Sequence, residues 1–211
     1  MNSKTSFITL LFLSAIVAGC SNGKPKDFDY GNVENGKYVN SYFDMEMSIP
    51  ENWIVMSQKN LDELMKQSGE IVAGDNKRMK AALKAAEIKT ANLLLASEYE
   101  IGSVEVNSNI SVTAENIKLA SGFIKNGSDY LKQTIKMLEQ TQVPYEAVGD
   151  ITTEIINNQE FAVMNGIIFD FVNQKMYVIL KNEFALIFTI TYFDDEQKEV
   201  LENAVNSVKF K

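Results

Sequence analysis

The residue types that most often perform chemistry in proteins are scarce in this chain. Its 211 residues include no histidine, one cysteine (Cys20) and one arginine (Arg78). Histidine is the usual general base and metal ligand, and arginine is the usual bidentate ligand of phosphate. A formal net charge of −8 at pH 7 also repels nucleic acid. We therefore expect no nucleic-acid partner, no metal, no cofactor and no enzymatic activity.

The one cysteine stands at the end of a stretch that has the features of an export signal. Lys4 supplies a positive charge, residues 7–18 are apolar or small, and Gly19 precedes Cys20. Secretory signals combine a charged start, an apolar core of about 7–15 residues and small residues at the cleavage site. A membrane-spanning helix needs roughly 20 apolar residues, which is longer than this run. Residues 1–19 are therefore predicted to be a signal peptide.

The last four residues of this stretch, Val17-Ala18-Gly19-Cys20, resemble the lipobox of bacterial lipoproteins. The resemblance implies that the Cys20 sulfur receives a diacylglyceryl group and that the signal is cut just before it. Two acyl chains hold a protein stably on a membrane. In a one-membrane cell this places the protein on the outer face of the cell membrane. In a two-membrane cell it implies the outer membrane, because Ser21, and not Asp, follows the cysteine. The alternatives are a signal peptide that merely ends in cysteine and a buried apolar cysteine.

The remaining chain is predicted to form a tether and one domain. Residues 20–37 are polar and rich in glycine, which is typical of a flexible linker that would hold the domain tens of Å from the bilayer. Ordered structure is expected from Tyr38, so residues 38–211 would form a single domain. With only one cysteine, this domain cannot form an internal disulfide.

Hydrophobic periodicity divides the domain into strands and helices. Strands are predicted at residues 38–40, 45–49, 91–96 and 103–113. Helices are predicted after the capping residues Asn60, Asp75, Ser128 and Asp194, the first of them ending by Gly69. Residues 147–192 read as a meander of about four strands with turns at 157–158, 173–174 and 181–182. The last of these strands, apolar on both faces, is predicted to be central. The fold class is α+β, a mostly antiparallel sheet with helices packed on its faces.

Two segments resemble the PsbP-like family, "YFDMEMSIPENW" and "ALIFTITYFDDEQKEVLENAVNSVKF". The shared features are a strand that ends in Pro50, the following Trp53, and a last helix before a short strand at residues 207–210. The family's fold occurs in an extrinsic photosystem subunit, a nuclear-import factor and many bacterial lipoproteins. The resemblance implies a binding or assembly role without catalysis. The region at residues 61–87 is longer than in a minimal member.

Several residue groups are candidates for a site. Trp53, Tyr42 and Phe43, with Tyr38 nearby, could line an aromatic binding cleft or form a core seam. The acidic triplet Asp194-Asp195-Glu196 is more typical of a helix N-terminus than of a Ca²⁺ site. The methionines are more typical of core filling than of metal binding. A basic helical region could meet an acidic partner or a bilayer, or could be solvated; it comprises Lys77, Arg78, Lys80 and Lys84.

The leading hypothesis is a membrane-anchored envelope lipoprotein with a non-enzymatic binding or assembly role and an envelope protein as its partner. The alternatives are a small-molecule or lipid carrier and, less favoured, a hydrolase that uses two carboxylates on envelope polymers. An apolar cavity of about 300 Å³ or more would favour the carrier. An exposed apolar patch would favour a protein partner, and paired buried carboxylates would favour the enzyme.

Overall fold

The computed structural model describes residues 23–104, 106–141 and 143–211. The predicted signal peptide and the lipidation site Cys20 lie outside these residues. Within them, no helix is long and apolar enough to cross a membrane.

Two antiparallel sheets and four α-helices make up the described part of the chain. The elements in chain order are β1 (Asn32–Glu34), β2 (Lys37–Asn40), β3 (Met45–Ser48), β4 (Ile54–Val55), α1 (Gln58–Ala73), α2 (Lys77–Lys89), β5 (Thr90–Ser97), β6 (Asn109–Asn116), a 3₁₀ turn (Lys118–Ala120), α3 (Gly127–Leu138), β7 (Tyr145–Ile156), β8 (Gln159–Ile168), β9 (Val172–Lys181), β10 (Phe184–Tyr192), α4 (Asp195–Asn206) and β11 (Lys209–Phe210). The small sheet has the order β1-β2-β3-β11, and the large sheet β4-β5-β6-β10-β9-β8-β7. The α+β prediction is confirmed, with two sheets in place of one.

Strand β10 lies at the centre of the seven-stranded sheet, as its two-sided apolar pattern predicts. Leu186 and Phe188 belong to the core cluster shared with the small sheet and α4. Ile187 belongs to the second cluster, which lies under α3 on the other face. Helices therefore pack on both faces of the large sheet.

Of the three turns predicted in the C-terminal meander, one lies at the predicted residues. Asn157 and Asn158 both have positive φ and form the predicted turn between β7 and β8. The turn predicted at residues 173–174 is wrong, because both lie inside β9, where the Gln174 amide donates to Thr191 Oγ1 over 3.1 Å. That turn instead uses Phe169 and Asp170, and the next one lies at residues 182–183.

Three of the predicted helix starts are shifted, and one is confirmed. The capping side chains are Ser57, Asn76 and Asn126 in place of Asn60, Asp75 and Ser128, whereas Asp194 caps α4 as predicted. Helix α1 also continues through Gly69 to Ala73, because it packs against α2. The strand predicted at residues 103–113 begins only at Asn109.

The expected flexible tether through Lys37 is not what the structure shows. Strand β1 pairs with β2, and the Phe28 ring lies 5.4 Å from the Phe184 ring. The Asp29 carboxylate accepts hydrogen bonds from the Ser41 hydroxyl and from the backbone N–H groups of Ser41 and Gly31. These bonds, that of the Ser41 hydroxyl first, lower the pKa of Asp29. The packed structure therefore begins before Tyr38.

We expect Phe43→Ala to lower the free energy of unfolding by about 3–5 kcal/mol, because it removes a buried ring from the core. Phe43 is buried, and its ring contacts those of Phe28, Tyr42 and Phe184. The matched control is Phe171→Ala at a half-exposed phenylalanine, which should cost about 1 kcal/mol or less. Urea unfolding of the domain measures both. Equal losses of unfolding free energy in the two variants would contradict the conclusion that the buried aromatic cluster around Phe43 stabilises the domain.

Candidate functional site

The three aromatic candidates do not form one open site. Phe43 is buried and Tyr42 is half-buried, and both rings pack in the cluster at the end of the small sheet. The Tyr42 carbonyl accepts a hydrogen bond of 2.8 Å from the Asn182 amide, which joins this segment to the β9–β10 turn. Trp53 is partly buried against the same core cluster. Beginning at Ile54, the residue after Trp53, the chain lines a large cleft, but none of the three candidates is among its lining residues.

That cleft has a volume of about 550 Å³ and lies between β4, the first half of α1 and the loop that joins β5 to β6. Its apolar walls include Ile54 and Val55 of β4, Leu64 of α1 and Ile101 of the loop. Ile54 and Val55 remain exposed although they are apolar. Strand β4 is the edge of the large sheet and pairs only with β5 in the described part of the chain. The cleft therefore combines apolar walls with an open sheet edge.

Hydrogen bonds within the β5–β6 loop hold one wall of the cleft in place. The Asn107 side chain accepts from the Tyr99 N–H at 3.0 Å and donates to the Tyr99 carbonyl at 2.7 Å. The Ser97 hydroxyl donates to the same carbonyl, also at 2.7 Å. At the base of the loop, the Ser108 hydroxyl donates to Glu98. The backbone of this loop is therefore positioned by side chains at both of its ends.

A second cleft of about 340 Å³ lies between α1, α2 and the beginning of β5. It is lined by apolar residues such as Met65 and Leu83 and by charged residues such as Asp62 and Lys24. The Lys24 ammonium donates to the Thr90 carbonyl at 3.0 Å. The N-terminal end of the described chain thus partly closes this cleft.

A buried group of three polar side chains, called here the buried triad, joins α3 and α2, the helix that borders the second cleft, to the large sheet. Lys89 at the end of α2 forms an ion pair of 3.1 Å with Glu115 of β6. The Tyr130 hydroxyl of α3 donates to the other Glu115 oxygen at 2.7 Å. All three residues are buried. Because each comes from a different element, the group sets the position of α2 and α3 on the sheet.

We expect Glu115→Gln to destabilise the domain by about 3–5 kcal/mol, because it leaves the Lys89 ammonium buried without its counter-ion. The triple substitution Lys89→Met, Glu115→Leu and Tyr130→Phe should recover most of this loss, since it buries no charge and leaves no buried hydroxyl without an acceptor. Urea unfolding of the single and triple variants measures the coupling. A triple variant that is no more stable than Glu115→Gln would contradict this account.

The other candidates from the sequence lie at a helix cap, in the core or on the surface of α2. The Asp194 carboxylate accepts from the Gln197 N–H at 2.8 Å and caps α4. Among the described residues, no group of three or more acidic, histidine or cysteine side chains could hold a metal ion. Six methionines are buried, which agrees with core filling: Met45, Met47, Met79, Met137, Met164 and Met176. The four basic residues of the predicted helical region are exposed: Lys77, Arg78, Lys80 and Lys84.

The sequence interpretation missed the residues that line the large cleft. Ile54 and Val55 were not among the candidates, and the loop that carries Ile101 was partly assigned to a strand. The available signal is the pair of β-branched residues after Trp53, followed by Met56 and then polar residues, a pattern that fits a short strand whether it is buried or exposed. Exposure of such a pair depends on long-range packing and cannot be read from its spacing.

Comparisons with known proteins give distant structural similarity. No protein-family model matches the chain, and no curated protein matches its sequence. The solution structure of cyanobacterial PsbP (CyanoP) from Synechocystis sp. PCC 6803 is similar with a TM-score of 0.46 and 12% identity, covering 86% of this chain and 96% of that one. LpqN, described as involved in cell envelope biogenesis of Mycobacterium tuberculosis, is similar with a TM-score of 0.37 and 12% identity, covering 77% and 78%.

Proposed function

We propose that this chain is a lipid-anchored protein of the bacterial envelope that binds a segment of a protein partner in the cleft beside β4. The observation that carries the binding role is the 550 Å³ cleft, whose wall presents two exposed apolar residues, Ile54 and Val55, at a sheet edge. Exposed apolar surface of this kind is typical of interaction sites. The residues of the lipobox support the anchor.

The charges around the cleft define the chemistry of the segment that it binds. Glu63 and Glu100 line it, and no lysine or arginine is among its described lining residues. The chain as a whole is acidic, with a net charge of −8. An anionic ligand would be repelled by this surface. The partner segment is therefore neutral or cationic and contributes apolar side chains to the floor of the cleft.

The short edge strand favours an extended segment. The outer side of β4 carries no paired strand in the described part of the chain. An extended peptide can add to such an edge through its main chain while alternate side chains enter adjoining pockets. With only Ile54 and Val55 in the strand, such pairing would be short, so contacts with the apolar wall would supply much of the affinity.

A carrier of a small apolar molecule is the second candidate. The volume of the cleft lies within the range of about 300–1,000 Å³ that is common for small-molecule sites. A hydrolase is less favoured, because Glu63 and Glu100 are both exposed. A carboxyl that donates a proton at neutral pH is generally held in an apolar environment.

We expect Ile54→Glu to abolish partner binding, because it places a negative charge on the apolar wall. A photo-reactive amino acid at Val55 of the otherwise native protein would capture the partner in cells, and mass spectrometry would identify it. The control is Ile155→Glu, which makes the same change at the opposite edge strand, β7. Ile54 is 45% exposed and Ile155 is 67% exposed, so neither change should disturb the core.

The two variants separate the proposals. Loss of the crosslinked protein in Ile54→Glu, with retention in Ile155→Glu, is the expected result. Absence of any protein adduct at Val55 would contradict the partner proposal. Native mass spectrometry of the purified protein would then be the second measurement. If it showed a bound lipid or metabolite that the Ile54→Glu variant lacks, the carrier proposal would replace the partner proposal.

We expect Cys20→Ala to prevent lipidation and membrane attachment. The substitution removes the only sulfur that could receive a diacylglyceryl group. Cell fractionation and intact-mass measurement would show an uncut or released protein without acyl chains. A Cys20→Ala protein that is still lipidated and bound to the membrane would exclude the lipobox interpretation.

A further inference from the structure

The seven-stranded sheet has two distinct ends, and the large cleft lies at one of them. At this end, called here the cleft end, β5 finishes at Ser97, opposite Asn109 at the beginning of β6. At the other end, called here the anchor end, β5 begins at Thr90 and β6 finishes at Asn116. Residues Ile54, Ile101 and Asn107 of the cleft all belong to the cleft end.

The first described residues are held at the anchor end. The Gly23 carbonyl accepts a hydrogen bond of 3.3 Å from the Asn116 amide. The Lys24 ammonium donates to the Thr90 carbonyl at 3.0 Å. A Cβ atom at Gly23 would lie 3.8 Å from Ile88 Cγ2, so the backbone there adjoins the end of α2. Two hydrogen bonds and the proximity of Gly23 to Ile88 thus place this segment against the domain.

Chain geometry limits how far the lipid attachment point can be from this end. Cys20 precedes Gly23 by three residues, and one residue advances the chain by at most about 3.6 Å, so their Cα atoms are within about 11 Å. A lipid on Cys20 would therefore hold the anchor end close to the bilayer. The spacing of tens of Å expected from a free tether does not apply.

Exposed apolar side chains occur at the same end. The segment between β6 and α3 buries Ile117, Ala120 and Ile124 in the core, whereas Leu119 and Phe123 are exposed. Ile88 beside Gly23 is also exposed, at the last turn of α2. Apolar side chains that project from a surface can enter the boundary between headgroups and acyl chains.

The charged groups of this segment are compatible with a lipid surface. Lys118 pairs with Glu183 at 3.0 Å, and Lys125 donates to the Ser121 carbonyl at 2.6 Å. Both lysines lie beside the exposed apolar residues, and the pairing of Glu183 offsets its repulsion from anionic headgroups. Leu119 and Phe123 are thus flanked by cations, as is common for residues at a membrane interface.

We infer that the domain rests on the membrane through its anchor end, with Leu119 and Phe123 in the headgroup layer and the cleft facing away. This inference rests on the proposed lipidation of Cys20. Strand β5 rises by about 3.3 Å per residue, so its seven steps separate the two ends by about 23 Å along the strand. A partner segment would approach the cleft from the side opposite the membrane.

Tryptophan quenching by lipids with brominated acyl chains tests this orientation. The full-length protein, purified from cells and reconstituted into phosphatidylethanolamine and phosphatidylglycerol vesicles, would carry Trp53→Phe and one new tryptophan. Phe123→Trp reports on the anchor end, and Phe171→Trp is the matched control at the cleft end. The two phenylalanines are 55% and 50% exposed. Leu119→Trp repeats the measurement in the same turn as Phe123.

Brominated lipid should remove most of the fluorescence at positions 123 and 119 and shift the emission to shorter wavelength, while position 171 remains unchanged. Equal quenching at positions 123 and 171, or no quenching at position 123, would overturn the orientation. Intact mass of the same samples separates the two proposals. A protein that carries the diacylglyceryl group but shows no quenching at position 123 refutes only the orientation, whereas a protein without it refutes the anchor and the orientation together.

Discussion

Both faces of the seven-stranded sheet have to be covered, because its central strands carry apolar side chains on both sides. Leu186 and Phe188 of β10 face the small sheet and α4, and Ile187 faces α3. No disulfide is available to a chain with one cysteine, so this packing has to hold the domain. The positions of the helices, and hence of the clefts between them and the sheet, follow from it.

The face of the large sheet that α3 covers is not purely apolar. Beside its apolar cluster it buries the Lys89–Glu115 pair, and Tyr130 completes the hydrogen bonding of Glu115. A buried ion pair adds little net stability, because desolvation of both charges opposes their attraction. Displacing one partner of the pair would nevertheless cost free energy, because it would leave the other charge buried without a counter-ion. The buried triad of Lys89, Glu115 and Tyr130 therefore fixes the position of α2 and α3 on the sheet more than it adds to the free energy of unfolding.

The sequence predicted the fold where the pattern was local and strong. The alternation in β7 to β10, the Asn157–Asn158 turn and the Asp194 cap could be read directly, because each depends on neighbouring residues. The prediction failed where contacts between residues far apart in the sequence determine the structure. Residues 28–37 lack hydrophobic periodicity but pack through long-range contacts, such as that of the Phe28 ring with the Phe184 ring. The cleft was missed for the same reason, since the exposure of Ile54 depends on where α1 and the β5–β6 loop come to lie.

Different contacts hold the two walls of the large cleft in place. The loop wall is fixed by the hydrogen bonds of Asn107 and Ser97. The wall formed by α1 rests on a small cluster in which Leu61, Leu64 and Leu95 are the buried members, and on hydrogen bonds that join Gln58 and Asp62 to Asn92 of β5. The triad acts at the far end of α2, so it does not brace this part of α1. Regions with few buried apolar contacts open at lower free energy than the core. The α1 wall is therefore the side of the cleft that moves more easily, and under the proposed function it would adjust to a partner segment while the loop wall stays in place.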